Sequence, residues 1–464
     1  VLTEYAPSAI RSFTPRWARG AGLVVEAAGL VGIAVAASIV LSQYPPTLTM
    51  VFVAGFGLLG TLALALGRYD AAVGLGILLL AAVRFEPAPA DLVIAVVIAV
   101  ALVTGRLRLG RVPLTIILLL GAFLALNMLA SVELIDVTRG VSFFAITLYL
   151  AVFGLWLVGY VTSARRARII LSAYVGAAVF AAGTGALALF VAFPGHELLV
   201  RGPRAQGLFK DPNVFGPFLV PAALFLMEEA AAPRLLRLRR PLKLLLLSIV
   251  AAGILFSFSR GAWLNLVIGT VVMFLVFALR RRGGRRAMLL LVVAVASAAV
   301  LFAAVVGTSS VTFLEERAHF QNYDTQRFGA QLSGIELASR YPLGIGPGQF
   351  EKVSDVSAHS TYVRSLTEQG LLGLLVILAV MLLTLGFAGR NAAIGRDTYG
   401  IGSAALLAAW CGILANSVFV DTLHWRHLWL VAGLIWAGSA RRLDGRPGNH
   451  SRPRSTEAPS PGRR

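Results

Sequence analysis

The chain is built from apolar runs of about 17 or more residues, each closed by a short cluster of charge, glycine or proline. A run of that length crosses the hydrocarbon of a bilayer, where every backbone N–H and C=O has to be satisfied within the segment, so each is expected to be a helix. A soluble chain of 464 residues would fold as several domains whose helices and strands alternate apolar and polar faces, whereas here 58% of residues are hydrophobic and the 14% that are charged only punctuate. The expected fold class is therefore an all-α polytopic membrane protein.

The net charge of +19 does not point to nucleic acid. The basic residues stand beside apolar runs in clusters such as "GRLRLGR", "SARRAR", "PRLLRLRR" and "RRRGGRR", which act as topology signals and contact membrane lipid headgroups. The one cysteine, Cys411, lies within an apolar run, so neither a disulfide framework nor a cysteine-based zinc site can form. Residues 1–20 form a basic tail without a cleavage signal, expected to be retained in the cytoplasm. Residues 441–464, rich in Pro, Ser and Arg, are expected to be a disordered cytoplasmic tail.

Breaks at Gly, Pro and charge give about fourteen (twelve to fourteen) spans, starting near residues 22, 47, 71, 91, 113, 141, 168, 213, 242, 262, 287, 359, 398 and 423. The third and fourth, 71–83 and 91–104, are short enough to be one re-entrant pair, which would leave the sidedness of everything downstream unchanged. With the N-terminus in the cytoplasm, most of the 41 Lys and Arg residues fall in the tails and cytoplasmic loops, as the positive-inside rule demands.

The cations left on the outer side are grouped. Arg201, Arg204 and Lys210 precede the span near 213; Arg260 sits in the next outer turn; Arg317, Arg327, Arg340 and Lys352 lie in one long outer loop, 307–358; and Arg364 follows just inside the next span. This grouping suits an anionic ligand.

Four stretches carry the chemistry. In "RAQGLFKDPN", Asp211 is a good helix N-cap and Pro212 fits the first turn, which puts a helix N-terminus beside Arg204 and Lys210 as an anion site. In "FSFSRGAWL", Arg260 occupies a turn too short to lift it far from the membrane, where a charge needs a partner or a task. "TQRFGAQLSGIELASRYPLGIGPGQF" divides into an amphipathic helical stretch, 325–340, and a Gly/Pro turn, 341–349. "GIGPGQ" follows no strand and lacks the Lys-Ser/Thr ending of a nucleotide loop, so it is expected to turn tightly against the membrane. In "AHSTYVRSLTEQGLLG", His359 stands at a helix N-terminus, which disfavours imidazolium and leaves a neutral ring able to accept a proton. Arg364 and Glu368, four apart, can pair on one helix face. His424 and His427 have the spacing of helical metal ligands but no third ligand spaced with them, so no metal site is expected.

These motifs, in this order, resemble the O-antigen ligase and polymerase family: Arg204 and Gly207 followed by Pro212 and Asn213, then Ser259 to Gly261, then Arg327 with "PLGIGPGQF", then His359 with "TEQGLLG". The resemblance covers residues 165–390, flanked by membrane helices at 21–164 and 391–440. The chain departs from the family pattern at Asp211, where Asn is usual, and in carrying more spans than is typical. The resemblance implies a GT-C-like, metal-independent, inverting glycosyltransferase of the bacterial cytoplasmic membrane, with both termini cytoplasmic and the site extracytoplasmic. It implies no cofactor, a polyprenyl diphosphate-linked glycan as donor, and a glycan or lipid acceptor. It further implies that Arg204 and Arg327 act on the diphosphate with Arg260, that His359 is the catalytic histidine, and that Arg201, Lys210, Asn213 and Arg364 surround the substrate.

The sequence does not separate a polymerase, which joins lipid-linked repeats, from a ligase, which moves finished glycan to an acceptor. A flippase or exporter of lipid-linked glycan is the alternative of a different class. It is disfavoured because deep spans other than that holding Glu26 are almost free of charge and no internal repeat is evident.

Overall fold

The computed structural model describes residues 48–85, 88–280, 284 and 322–440. The expected spans near 22 and 287, the two tails, Arg317 and the first part of the long loop lie outside them.

Eleven of the expected starts fall on described residues and that near 47 lies one residue before them, and a helix begins within five residues of each of these twelve. In chain order these are α1 (Leu48–Gly67), α2 (Tyr69–Leu78), α3 (Pro89–Val103), α4 (Leu114–Ala130), α5 (Val137–Tyr160) and α6 (Ala164–Phe190), then a two-stranded hairpin of β1 (Val200–Arg201) and β2 (Arg204–Ala205). They continue with α7 (Pro212–Ala231), α8 (Arg240–Phe256), α9 (Arg260–Leu279), α10 (Asn322–Arg340), α11 (Phe350–Val353), α12 (Thr361–Ala393), α13 (Ser403–Asn416) and α14 (Arg426–Ser439). Five of the described helices, α5, α6, α7, α9 and α12, are long and apolar enough to cross a membrane. Shorter apolar helices include α2 and α3 at the expected third and fourth spans. The late start of α13 relative to residue 398 has a local cause: Thr398 and Ile401 bridge across a tight turn in which Tyr399 and Gly400 both take positive φ.

The core is α7. Almost every residue from Phe215 to Ala231 is buried, so this helix is apolar all round because protein surrounds it, with α8, α9, α13 and α6 packed against it. Pro217 and Pro221 are tolerated inside it because buried neighbours enclose the helix. Glycines allow close crossings: Gly154 of α5 lies under Trp429 and Trp436, and Gly433 of α14 lies against Leu157.

Contacts between helix ends sort into two sets, and the sets follow the alternation expected from charge. At one end, Val83 N–H donates to Leu208 O (2.9 Å), Arg84 to Leu198 O (2.7 Å), Thr361 N–H to Ser417 O (2.9 Å), and Arg426 pairs with Asp91. At the other, Arg165 pairs with Asp70 (3.0 Å), Arg168 donates to Leu235 O (2.9 Å), Ala405 N–H to Glu228 (2.7 Å) and Arg280 to Ser403 Oγ (3.1 Å). Glu229 closes the second end by accepting from Leu235 N–H and from the fully buried Lys243, both at 2.8 Å. All candidate site residues lie at the first end.

Candidate functional site

The hairpin and three helix starts build one half of the site. Asp211 caps α7, its carboxylate accepting from Asn213 N–H at 2.7 Å, and Arg201 pairs with its other oxygen at 3.0 Å. Arg204, on β2, is buried and lies against two helix ends at once: its Nε donates to Ser257 O (2.9 Å) just past α8, and its Nη2 to Asn213 Oδ1 (2.8 Å) in the first turn of α7. Gly207 takes a φ of +54°, which lets the chain turn back beneath Phe215. Lys210 is exposed beside the cap.

The turn carrying Arg260 is tight. Phe258 has a φ of +46°, a region that side chains with a Cβ rarely enter and that clusters at functional sites. Ser259 caps α9 by accepting from Ala262 N–H (3.3 Å), so Arg260 is the first residue of that helix. Gly216 leaves no room for a Cβ between the start of α7 and Ser257 and Ala262, so the N-termini of α7 and α9 adjoin. Two adjacent helix N-termini, with Arg204 bonded to the first turn of α7 and Arg260 leading α9, make this end of the bundle electropositive.

The second half is carried by α10 to α12. His359 precedes the helix: Ser360 is the cap of α12, accepting from Val363 N–H, and His359 stands one residue earlier with a φ of +44°. The ring is neutral, as its place at the helix entrance suggested, but for other main causes. Burial is the largest cause, followed by the positive charges of Arg327 and Arg364, and together they lower the His359 pKa to about 4 against the smaller opposing pull of Asp211 and Glu351. This set of influences also brings the two halves together, since Asp211 of the α7 cap and Arg327 of α10 both act on the same ring. Gln331, one turn beyond Arg327, donates to His359 O (3.2 Å) and to Val418 O (3.3 Å), which ties α10 over the histidine.

Arg364 is the centre of an ion-pair cluster. It is 6% exposed and held by carboxylates on three sides: Glu351, Glu368 (2.8 Å) and Asp421 (2.9 Å), with Ser357 Oγ at 3.0 Å. A guanidinium so compensated braces its neighbours, and its pairing with Glu368 is the one their spacing suggested. Glu351 also pairs with Arg139 of α5 (2.8 Å). Its burial would raise its pKa, but the hydrogen bonds and charge of Arg364 hold it down to about 2.

The Gly/Pro turn is explained by a break in α12. Gly370 has φ +70° and ψ −176°, so two helical pieces meet there and carbonyls before the break lose their helical partners. The turn supplies donors: Ile345 N–H to Thr367 O and Gly346 N–H to Glu368 O, both 3.0 Å, while the Glu368 carboxylate accepts from Gly348 N–H (2.8 Å). Gln349, fully buried, locks the same turn onto α5 by accepting from Asp136 N–H (2.8 Å) and donating to Asp136 O (3.0 Å). Sequence reasoning named the i,i+4 pair of Arg364 and Glu368 but missed Glu351, Asp421, Gln331 and Gln349, whose partners are up to about two hundred residues away in the chain.

His424 bonds Thr147 Oγ1 (2.9 Å) and His427 is buried between Phe218 and Trp425. Among the described residues there is no group of three His, Cys, Asp or Glu side chains that could hold a metal ion.

Residues 244–378 match the family model described as O-antigen ligase. The match runs from α8 into α12 and so includes Arg260, Arg327, His359 and the break at Gly370, while the hairpin with Arg204 precedes it. It supports the O-antigen ligase and polymerase family reading, and with it a glycan-transferring enzyme of the membrane that processes lipid-linked glycans, in a family not known to use cofactors. No curated protein matches the chain.

Proposed function

We propose that the protein is an inverting, metal-independent, GT-C-type glycosyltransferase that moves a glycan from a polyprenyl diphosphate carrier to an acceptor hydroxyl at the outer face of the cytoplasmic membrane, as a polysaccharide polymerase or an O-antigen-type ligase. The observation that carries this reading is the junction of a neutral histidine with a cationic end of the bundle: Arg327 and the Asp211 cap both lie near enough to bear on the His359 ring, and Arg204 binds the first turn of the helix that Asp211 caps.

In this reading the diphosphate docks against the N-termini of α7 and α9 with Arg204, Arg260 and Arg327 as its cations, and exposed Arg201 and Lys210 draw it in. His359 accepts the proton of the acceptor hydroxyl as its oxygen attacks the anomeric carbon. The bond from that carbon to the diphosphate oxygen breaks on the opposite side, which inverts the centre. Charge grows on the departing diphosphate, and fixed guanidinium groups stabilise it more than they stabilise the bound donor. A ring with a pKa of about 4 is deprotonated at neutral pH and so is ready to receive the proton.

The test is deletion of the gene with analysis of the lipid-linked glycans that accumulate. Single repeats would identify a polymerase and long glycan stranded on its carrier a ligase. Accumulation confined to the cytoplasmic leaflet would overturn both in favour of a flippase. Transfer by purified protein in the presence of a chelator tests metal independence.

A further inference from the structure

Helix α10 buries one stripe and exposes a second. Ala330 and Gly334 face inward against α12 and Phe350, with Arg327 and Gln331 half-buried beside them. Leu332 and Ile335, at 68% and 50% exposed, form with exposed Phe328 an i, i+4, i+7 row about a third of a turn away from that buried stripe. The polar exposed residues Gln326, Ser333, Glu336 and Arg340 occupy the remaining sector, where Glu336 and Arg340 pair at 2.7 Å. The helix is therefore divided into a protein-facing, an apolar and a charged sector.

What covers the apolar sector follows from where it leads. After α10 the chain passes through Leu343, 56% exposed, whose backbone lies against the break at Gly370. Immediately beyond that break, Leu371, Leu372 and Leu375 are exposed on α12, the longest of the helices able to cross a membrane. The chain thus leads from the apolar row of α10, through Leu343, to the exposed apolar surface of a helix long enough to cross a membrane, and a charged sector flanks the row as in helices that lie in a membrane interface.

We propose that α10 is an interfacial helix, seated in the bilayer surface at the site end of the bundle along Phe328, Leu332, Ile335 and Leu343. Because Arg327 and Gln331 belong to the same helix, this seat fixes the height of Arg327, and of the His359 carbonyl bonded to Gln331, above the hydrocarbon. The proposal concerns lipid contact and stands whether or not the glycan chemistry above is correct.

The full-length chain in nanodiscs tests it in two ways. On a Cys411→Ser background, cysteines placed singly at 332, 335 and 343, and at 333 and 336 as controls, carry a bimane label. Quenching by a shallow doxyl phospholipid at 332, 335 and 343, with iodide quenching confined to 333 and 336, is the expected result. Equal iodide quenching at both sets would overturn the proposal, as would protection of 332, 335 and 343 from both quenchers, which would mean a protein partner or a second copy covers the face. The unaltered chain, photolabelled by a diazirine phospholipid and mapped by mass spectrometry, keeps the test independent of the variants: labelled 325–343 peptides support the seat, and labelling confined to the spans refutes it.

Discussion

Arg204 donates through Nη2 to Asn213 Oδ1 over 2.8 Å, so the cation of the hairpin and the first turn of the buried helix α7 are fixed relative to each other. The contact uses one arm of the guanidinium, and Nε engages Ser257 O. A lysine at this position could supply the charge but not donors on two separate nitrogens of a planar fork. Arg204→Ala is expected to lower kcat/KM for glycan transfer by about 10²-fold or more, with Arg204→Lys recovering only part of it. Rates normalised to monodisperse protein on size-exclusion chromatography decide the matter; a fully active Arg204→Ala protein would remove this residue from the site.

The second prediction concerns pH. The pKa of His359, about 4 in the folded protein, lies below the ordinary 6.5. The acid limb of kcat/KM, which reports the free enzyme, should therefore fall near pH 4 and not near 6.5. The same shift makes stability sensitive to acid in a defined window. As pH drops below 6.5 the unfolded chain takes up a proton that the folded chain refuses, so the contribution is present above 6.5, is lost between 6.5 and about 4, and changes no further below that. Arg327→Gln removes one of the two cations pressing on the ring, and its acid limb should move upward. An acid limb unmoved by that change would show that Arg327 does not act on His359.

Why these residues were partly legible in the sequence is a matter of range. Apolar run length and the sidedness of charge are local or additive quantities, and the helix starts and the gathering of Arg204, Arg260 and His359 at one end of the bundle followed from them. Asp211 was readable as a cap because capping acts within three residues. The ion-pair cluster of Arg364 was not, because it depends on Glu351, thirteen residues back across a turn, and on Asp421, which arrives from the far end of the next hairpin of helices. The low pKa of His359 was expected in the right direction for a secondary reason; burial, which sequence spacing does not report, is the main one.

The carboxylate cage around Arg364 gives the third prediction. Removing one member of a buried ion pair leaves an uncompensated charge, at a cost of about 3–5 kcal/mol. Arg364→Ala would strand Glu368, 2% exposed, together with Glu351 and Asp421, and is expected to lower the denaturation midpoint of solubilised protein markedly. Glu351→Gln leaves Glu368 and Asp421 on Arg364 and should be milder, yet it takes the carboxylate partner from Arg139, which keeps its bond to Gly348 O, and loosens the segment that leads to His359. Equal stability of Arg364→Ala and the unaltered protein would mean that the cage contributes nothing to the fold.

The break in α12 supplies the last prediction, because two glycines of the same helix make opposite demands. Gly370 holds φ +70° and ψ −176°, and a Cβ there would collide with the backbone carbonyl of Pro342. That backbone region is essentially confined to glycine and costs another residue about 1–3 kcal/mol before the collision is counted. Gly386, farther along α12, has helical geometry and open space around its Cβ direction, so alanine there should stabilise by about 0.5–1 kcal/mol. Thermal denaturation of Gly370→Ala and Gly386→Ala side by side should therefore move in opposite directions. The effect at Gly370 should extend to function: the turn that docks on Thr367 and Glu368 also carries Gln349 and leads into Glu351, so displacing it disturbs the frame around His359 and transfer should fall as well. A Gly370→Ala protein as stable and as active as the unaltered one would show that the break is dispensable and that the docked turn does not position the histidine.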